Sequence, residues 1–212
     1  MYDFTPLIKQ LQRQTPVLPP EELLLEFLNS GVMKTYAPDE AIIEAGDLNR
    51  SVYLIVEGLY RLGWEDGERE VTYGFGSIGT MFLSPKGFVA SEESCWFMRA
   101  CTETRLLKWT NEQFMSWLLK SHEICLWAFN MAMHQFYCSE IKTDVIKGSA
   151  RQRLEALSEK ESRGRLHTFS KYPDLLQHIS SQTLATYLGI APTYLSTLRK
   201  NRMEEEKKGE EC

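Results

Sequence analysis

The spacing of apolar positions changes period along the chain, and each change marks an element. Over Thr5–Gln14 and Pro20–Ser30 the spacing is helical, and Pro16, Pro19 and Pro20 separate the two segments. Leu23, Leu24, Phe27 and Leu28 give the second segment one apolar face. From Ala41 the period drops to two. Ala41–Glu44 predicts a short strand ended by Gly46-Asp47. Ser51–Trp64, SVYLIVEGLYRLGW, predicts a long β-rich run interrupted at Gly58. Asp66-Gly67 is a hairpin turn signal, and Glu70–Phe75 returns as the partner strand. Cys95–Ala100 and Thr104–Trp109 predict further strands. Short strands punctuated by glycine turns point to a β-barrel or roll.

Helical spacing then returns. Thr110-Asn111-Glu112-Gln113 is a capping box opening a helix over Asn111–Lys120. A longer helix follows from about His122 to Lys147, with no Pro or Gly before Gly148. Its apolar residues repeat by sevens. Ile124, Met131, Cys138 and Val145 form one row, and Trp127, His134 and Ile141 form the second. These rows predict a dimer seam, with His134 as a polar seam residue rather than a metal ligand. A second apolar edge, Leu126, Phe129, Met133 and Phe136, lies on another face. A helix with two apolar faces needs two partners, and its own barrel and a second copy of the chain would supply them, against the plainer reading of a doubly buried core helix in a monomer.

Gly148-Ser149 is the candidate hinge. Ala150–Glu161 predicts another helix, Ser162–Tyr172 a polar, basic loop or short wing, and the charged residues 204–212 a disordered tail. Between them lies Ser181–Lys200, SQTLATYLGIAPTYLSTLRK. Leu184, Ala185 and Leu188 share a face of one short helix. Gly189 allows a sharp turn, Pro192 suits the first position of a second helix, and Leu195 and Leu198 give that helix a buried stripe. Small Ala185 lets the helices cross closely, and Ile190 plugs the angle between them. This pattern predicts a helix-turn-helix whose second helix lies in a DNA major groove, against the plainer reading of an ordinary helical hairpin. The candidate DNA-binding residues are Ser181 and Gln182 at the start of the first helix, the outward Thr193, Tyr194, Ser196, Thr197 and Lys200, and Arg199 at the edge. Hydroxyls can bond bases or phosphates, and Arg or Lys can bond phosphate or guanine.

A formal net charge of −5 argues at first against nucleic acid, but the charge is unevenly spread. Met1–Ile146 carries 12 Lys and Arg against 20 Asp and Glu, whereas Lys147–Arg202 carries 10 against 4. The basic part is the one that would meet phosphate. The five cysteines form no C-x-x-C pair, which disfavours a disulfide framework or a zinc site. No apolar run approaches the ~20 residues of a membrane span. The N-terminus lacks a signal-peptide core, so a cytoplasmic location and no membrane partner are expected.

Taken in this order, the chain resembles the Crp/Fnr family of bacterial transcription regulators over nearly everything from Leu23 to Arg202. The carriers are Glu44-Ala45-Gly46-Asp47, Tyr53-Leu54-Ile55-Val56-Glu57-Gly58 with Arg61 following, Phe75-Gly76, Arg99-Ala100, the long helix and the helix-turn-helix. The resemblance implies an α+β fold. An N-terminal double-stranded β-helix, the cyclic-nucleotide-binding type of β-roll, would occupy residues 1–120 with flanking helices. A dimerisation helix would span 121–147 and a winged helix-turn-helix 148–203. It also implies DNA as partner, a homodimer, possible contact with RNA polymerase, no catalytic machinery and no cofactor.

The departures concern the effector. The resemblance places a tentative pocket at Phe75, Gly76, Ser77, Ile78, Gly79, Ser94, Cys95 and Arg99. In members that bind cyclic AMP, a Gly-Glu pair follows the Phe-Gly, and here Ser77 stands at the matching place. An Arg-Ser pair holding the cyclic phosphate is replaced by Ser94 and Cys95. Without that Arg the charge-assisted fork for phosphate is missing. The N-terminal cysteine cluster of the iron–sulfur members is also absent. An effector other than cyclic AMP, or a filled pocket, is expected. In the reader, Thr197 stands where the family usually carries Arg, and Ala191 where a capping Ser or Thr is common. Those departures and the acidic tail motivate an alternative, an effector-binding or scaffold protein that has lost DNA affinity. A cupin-type enzyme is disfavoured, since His122, His134, His167 and His178 all lie outside the predicted strands.

Overall fold

The computed structural model describes residues 2–15, 17–67, 69–156 and 177–210. Helices α1 (Thr5–Gln14) and α2 (Glu21–Ser30) precede eight strands: β1 (Val32–Tyr36), β2 (Ala41–Ile43), β3 (Val52–Glu57), β4 (Leu59–Asp66), β5 (Arg69–Ser77), β6 (Met81–Leu83), β7 (Phe97–Ala100) and β8 (Thr104–Trp109). A single π-helical turn, Lys86–Ala90, lies between β6 and β7. Then come α3 (Asn111–Lys120), α4 (His122–Lys147), α5 (Ala150–Glu155), α6 (Ser181–Leu188) and α7 (Pro192–Glu210).

The strands form two four-stranded sheets, in the orders β1-β8-β3-β6 and β2-β7-β4-β5, with antiparallel pairing throughout. Successive strands β3 and β4 belong to different sheets, and Gly58 alone separates them. Its φ of +95° lies where side chains are strained, and a Cβ there would stand 2.4 Å from the Glu103 carbonyl oxygen. The interruption in the apolar run is therefore the point where the chain changes sheet. The β4–β5 hairpin closes as its Asp-Gly signal predicts, with Asp66 opposite Arg69.

Strand β3 explains its own unbroken apolar sequence, because both its faces are covered. Val52, Leu54 and Val56 point into a cluster built with the helices. Tyr53 and Ile55 point into the roll, with Tyr60, Met98, Ala100 and Leu106. Phe27 is central to the helical cluster. Its ring stacks on Trp109 at 4.5 Å and meets Phe114, Trp117 and Trp127 edge-on. The Trp109 and Trp117 indole N–H groups both donate to Ser30 Oγ, at 3.0 and 2.9 Å. Two otherwise awkward donors are thereby satisfied at the end of α2.

Several expectations need correction. Strands β1 and β6 were not predicted: β1 is half exposed, so its apolar positions do not alternate, and β6 is too short to show a period. The strand expected from Cys95 begins at Phe97, because Ser94 Oγ bonds locally around Trp96 and holds a bend. Helix α7 continues without a break through Glu210, and Met, Glu, Lys and Arg are all strong helix formers. The expected wing at 162–172 and the end of the helix predicted to Glu161 lie outside the described residues.

Truncating the central ring should be costly. Phe27→Ala is expected to lower stability by about 3–5 kcal/mol. Urea denaturation should show a fallen midpoint with an unchanged slope.

Candidate nucleic-acid interface and roll interior

Helix α6 is capped by Ser180, whose Oγ accepts from the Thr183 amide at 3.0 Å. It ends at Gly189, with φ +64°, where the Ile190 amide donates to Ala185 O and the Gly189 amide to Thr186 O. This left-handed exit satisfies the last carbonyls and sets the turn. Pro192 then opens α7, as predicted. Leu184, Ala185, Leu188 and Leu195 are buried together, with Ile190 and Leu198 packed against them.

Sequence reasoning missed Arg153. From α5 its Nη1 donates to Leu188 O at 2.9 Å and to Gly189 O at 3.3 Å, while its Nε donates to Gly148 O at 2.9 Å. One guanidinium thus ties the hinge to the turn between α6 and α7. Nothing in the local pattern distinguishes Arg153 from its neighbour Arg151.

The candidate DNA-binding residues lie on α6 and α7. Ser181, Gln182, Thr193, Tyr194, Ser196, Thr197 and Lys200 are exposed. Arg199 is half-buried and its Nη1 donates to Ser181 Oγ at 3.1 Å, joining the two helices. The Ser196 and Thr197 hydroxyls donate to the carbonyls of Pro192 and Thr193 on their own helix. Ala191 offers no capping side chain, and its carbonyl accepts the first helical bond from Leu195.

The candidate pocket residues do not form one surface. Gly76 is covered by the buried Tyr60 ring, and a Cβ on Gly76 would stand 2.2 Å from Tyr60 Cε1. Burial pushes the Tyr60 phenol pKa well above its ordinary value. Ser77 is buried, its amide donating to Thr80 Oγ1 and its carbonyl accepting from the Thr80 amide. Ile78 and Gly79 lie under α1, with Gln14 Nε2 donating to Ile78 O at 3.4 Å. Ser94 is buried in its bend and Cys95 is exposed. Phe75 leaves the roll for the ring of Tyr187 on α6, 5.1 Å away.

Arg99 is committed elsewhere. Its Nη2 pairs with Glu44 at 3.2 Å and Glu70 at 3.4 Å, and its Nη1 donates to Asp39 O. Arg61, its cross-strand neighbour, also pairs with Glu70 and lies 4.8 Å over the Phe97 ring. Ser94 lies outside the strand, so its position follows the bend rather than strand alternation with Arg99.

The predicted dimer seam is turned inward, which corrects that expectation. Ile124, Trp127 and Met131 are buried in the chain's own helical cluster, Trp127 at 0% exposure. Further along, Ile141 and Val145 pack against the cluster that holds Leu59, Leu184 and Leu188. His134 and Cys138 are half-buried, with Nδ1 and Sγ 3.7 Å apart. The second edge is the one left open: Phe129 is 61% and Phe136 67% exposed, with Leu126, Met133 and Tyr137 beside them.

No protein-family model matches the sequence, and no curated protein matches it. Solved structures do. The cyclic nucleotide-binding domain containing protein from Listeria monocytogenes EGD-e is 18% identical at a TM-score of 0.66, over 87% of this chain and 91% of that one. FixK2 from Bradyrhizobium japonicum is 16% identical at 0.63, over 83% and 86%. The c-di-GMP responsive global regulator CLP from Xanthomonas campestris is 17% identical at 0.62, over 88% and 93%. The chain has the fold of these Crp/Fnr-type regulators: an antiparallel cyclic-nucleotide-binding type of roll with helices before and after it. Among the described residues, no helix is long and apolar enough to cross a membrane, and no cluster of three His, Cys, Asp or Glu could hold a metal ion.

Proposed function

We propose that the chain is a sequence-specific, DNA-binding transcription regulator of the Crp/Fnr type, acting as a homodimer. The observation that carries this reading is the exposed row Thr193, Tyr194, Ser196, Thr197 and Lys200 on a helix set at a fixed angle by the turn at Gly189. Small hydroxyls, one aromatic ring and a terminal cation suit base edges and phosphates. The scaffold alternative makes the same fold without DNA affinity, and direct binding separates the two.

For the homodimer we infer the outer face of α4 as the contact. Leu126, Phe129, Met133 and Phe136 are spaced three, four and three apart, the spacing of a two-stranded seam, and all four are exposed. Two copies of α4 packed along this stripe would also bring two readers to two half-sites.

The roll is proposed to have given up cyclic nucleotides. Tyr60 occupies the space over Gly76, and the nearest guanidinium, Arg99, already has two carboxylates. A cyclic phosphate would lose its water and gain no free cation.

Three outcomes test these readings. Phe129→Glu should convert the dimer to monomer in equilibrium sedimentation, because two charges would be desolvated across the seam. An unchanged mass would move the contact elsewhere. Lys200→Ala should weaken DNA binding and reduce the slope of log affinity against log salt by about 1, the loss of one phosphate contact. If the unaltered protein retards no genomic fragment at low salt, the scaffold reading replaces this one. Calorimetry with cyclic AMP should give no measurable heat, and micromolar binding would show that Tyr60 moves and another cation serves the phosphate.

A further inference from the structure

Two helix ends meet at one side chain. The last carbonyls of a helix have no partner within it, and they form its negative pole. Gly148 caps α4 and Gly189 caps α6. Arg153 reaches both ends. Its Nε donates to Gly148 O at 2.9 Å, and its Nη1 donates to Leu188 O at 2.9 Å and to Gly189 O at 3.3 Å. All three acceptors are backbone carbonyls, so the guanidinium acts as a cap shared by two helices.

The side chain starts from a fixed base. Ser149 and Gln152 close a reciprocal capping box at the start of α5. The Arg153 amide donates to Ser149 O at 2.9 Å and completes the first turn. Leu154, next in the chain, is buried in one cluster with Leu184, Leu188 and Leu195. Space at the turn is equally tight, since a Cβ on Gly189 would stand 3.1 Å from Arg153 Nη1. The donors of a guanidinium lie in a rigid planar fork, so three bonds fix direction as well as distance. A lysine ammonium is a single point on a flexible stem and cannot do the same.

We propose that Arg153 is the positioning residue that sets the angle of the α6–α7 pair against the end of α4, and so sets how the exposed row of α7 meets base edges. The second half rests on the DNA-binding reading above, and the first half does not. The leverage is geometric. Leu188 O and Gly189 O belong to the turn from which α7 departs at Pro192. Lys200 lies roughly 12 Å further along that helix, so a tilt of about 10° at the turn carries it roughly 2 Å. A hydrogen bond to a base edge does not survive such a shift. Attraction to the phosphate backbone, which carries no sequence information, does.

Two variants separate geometry from charge: Arg153→Lys keeps the cation and loses the fork, and Arg153→Met loses both. Amide hydrogen exchange in the full chain tests the joint without DNA. The Gly148 amide, bonded to Val145 O, reports the end of α4. The Ile190 amide, bonded to Ala185 O, reports the turn, and the Ile55 amide, bonded to Thr80 O, reports the roll. In both variants the Gly148 and Ile190 amides should exchange ~tenfold faster, the scale of a lost charge-assisted hydrogen bond, with Ile55 unchanged. Acceleration at only one end, or at neither, would overturn the shared cap. Equal acceleration of all three would make Arg153 a support of the whole fold and would overturn it too. Arg153→Gln replaces Arg153→Met if circular dichroism shows that the latter has not folded. On a genomic fragment that the unaltered protein retards, Arg153→Lys should lose ~tenfold in specific affinity, with non-specific affinity and the salt slope unchanged. A slope reduced by about 1 in Arg153→Met, with specific and non-specific binding falling together, would make Arg153 a phosphate contact and overturn the positioning role. If the unaltered protein retards no fragment, the DNA-binding reading fails, and the exchange rates still decide the joint.

Discussion

The structure depends on one helix being held on its inner face along its whole length. The first half of α4 sets Ile124, Trp127 and Met131 among Phe27, Trp109 and Phe114, so it is part of the core. Its second half sets Ile141 and Val145 against the cluster of Leu59, Leu184 and Leu188, which belong to the roll and to α6. The same rigid rod therefore meets all three parts of the molecule. A shift of the rod relative to the roll cannot be absorbed locally, since close-packed side chains transmit displacement rather than yielding to it.

That arrangement shows why the rows of α4 could be seen in the sequence while the partner of the inner row could not. Both stripes have spacing compatible with a helix–helix seam. The inner one is longer and more regular, and so looked the better dimer contact. What decides between them is the aromatic cluster around Phe27, which needs Trp127 on its side and is assembled from residues far apart in the chain. The outer stripe, with Phe129 and Phe136, is left open as a consequence. Periodicity reports that two faces exist, and only tertiary packing says which partner each one meets.

The α6–α7 pair was the most legible part of the candidate site because local rules determine it. Gly189 in the left-handed region, Pro192 at the helix start and Leu195 in the core leave the intervening positions outward with no long-range information needed. The roll interior was less legible. Ser77, Ser94 and Cys95 announced the loss of a phosphate site, but not that Tyr60 lies over Gly76. Arg153 was invisible for a related reason. A lone cation in a helix gives no sign that its partners are the turn of another helix.

The charges inside the second sheet complete the picture of the roll. Arg61 and Arg99 face each other across β4 and β7 and share Glu70, with Glu44 closing the set. Two partly buried guanidinium groups side by side repel each other unless anions compensate them, and here the chain's own carboxylates do it. Arg61 and Arg99 alternate along their strands with Tyr60, Leu62, Met98 and Ala100, so they face away from the roll interior. That interior is aromatic and neutral, with Tyr53 and Tyr60 buried in it and Phe82 packed against them, and the sheet thus keeps its charges on one face and its rings on the other.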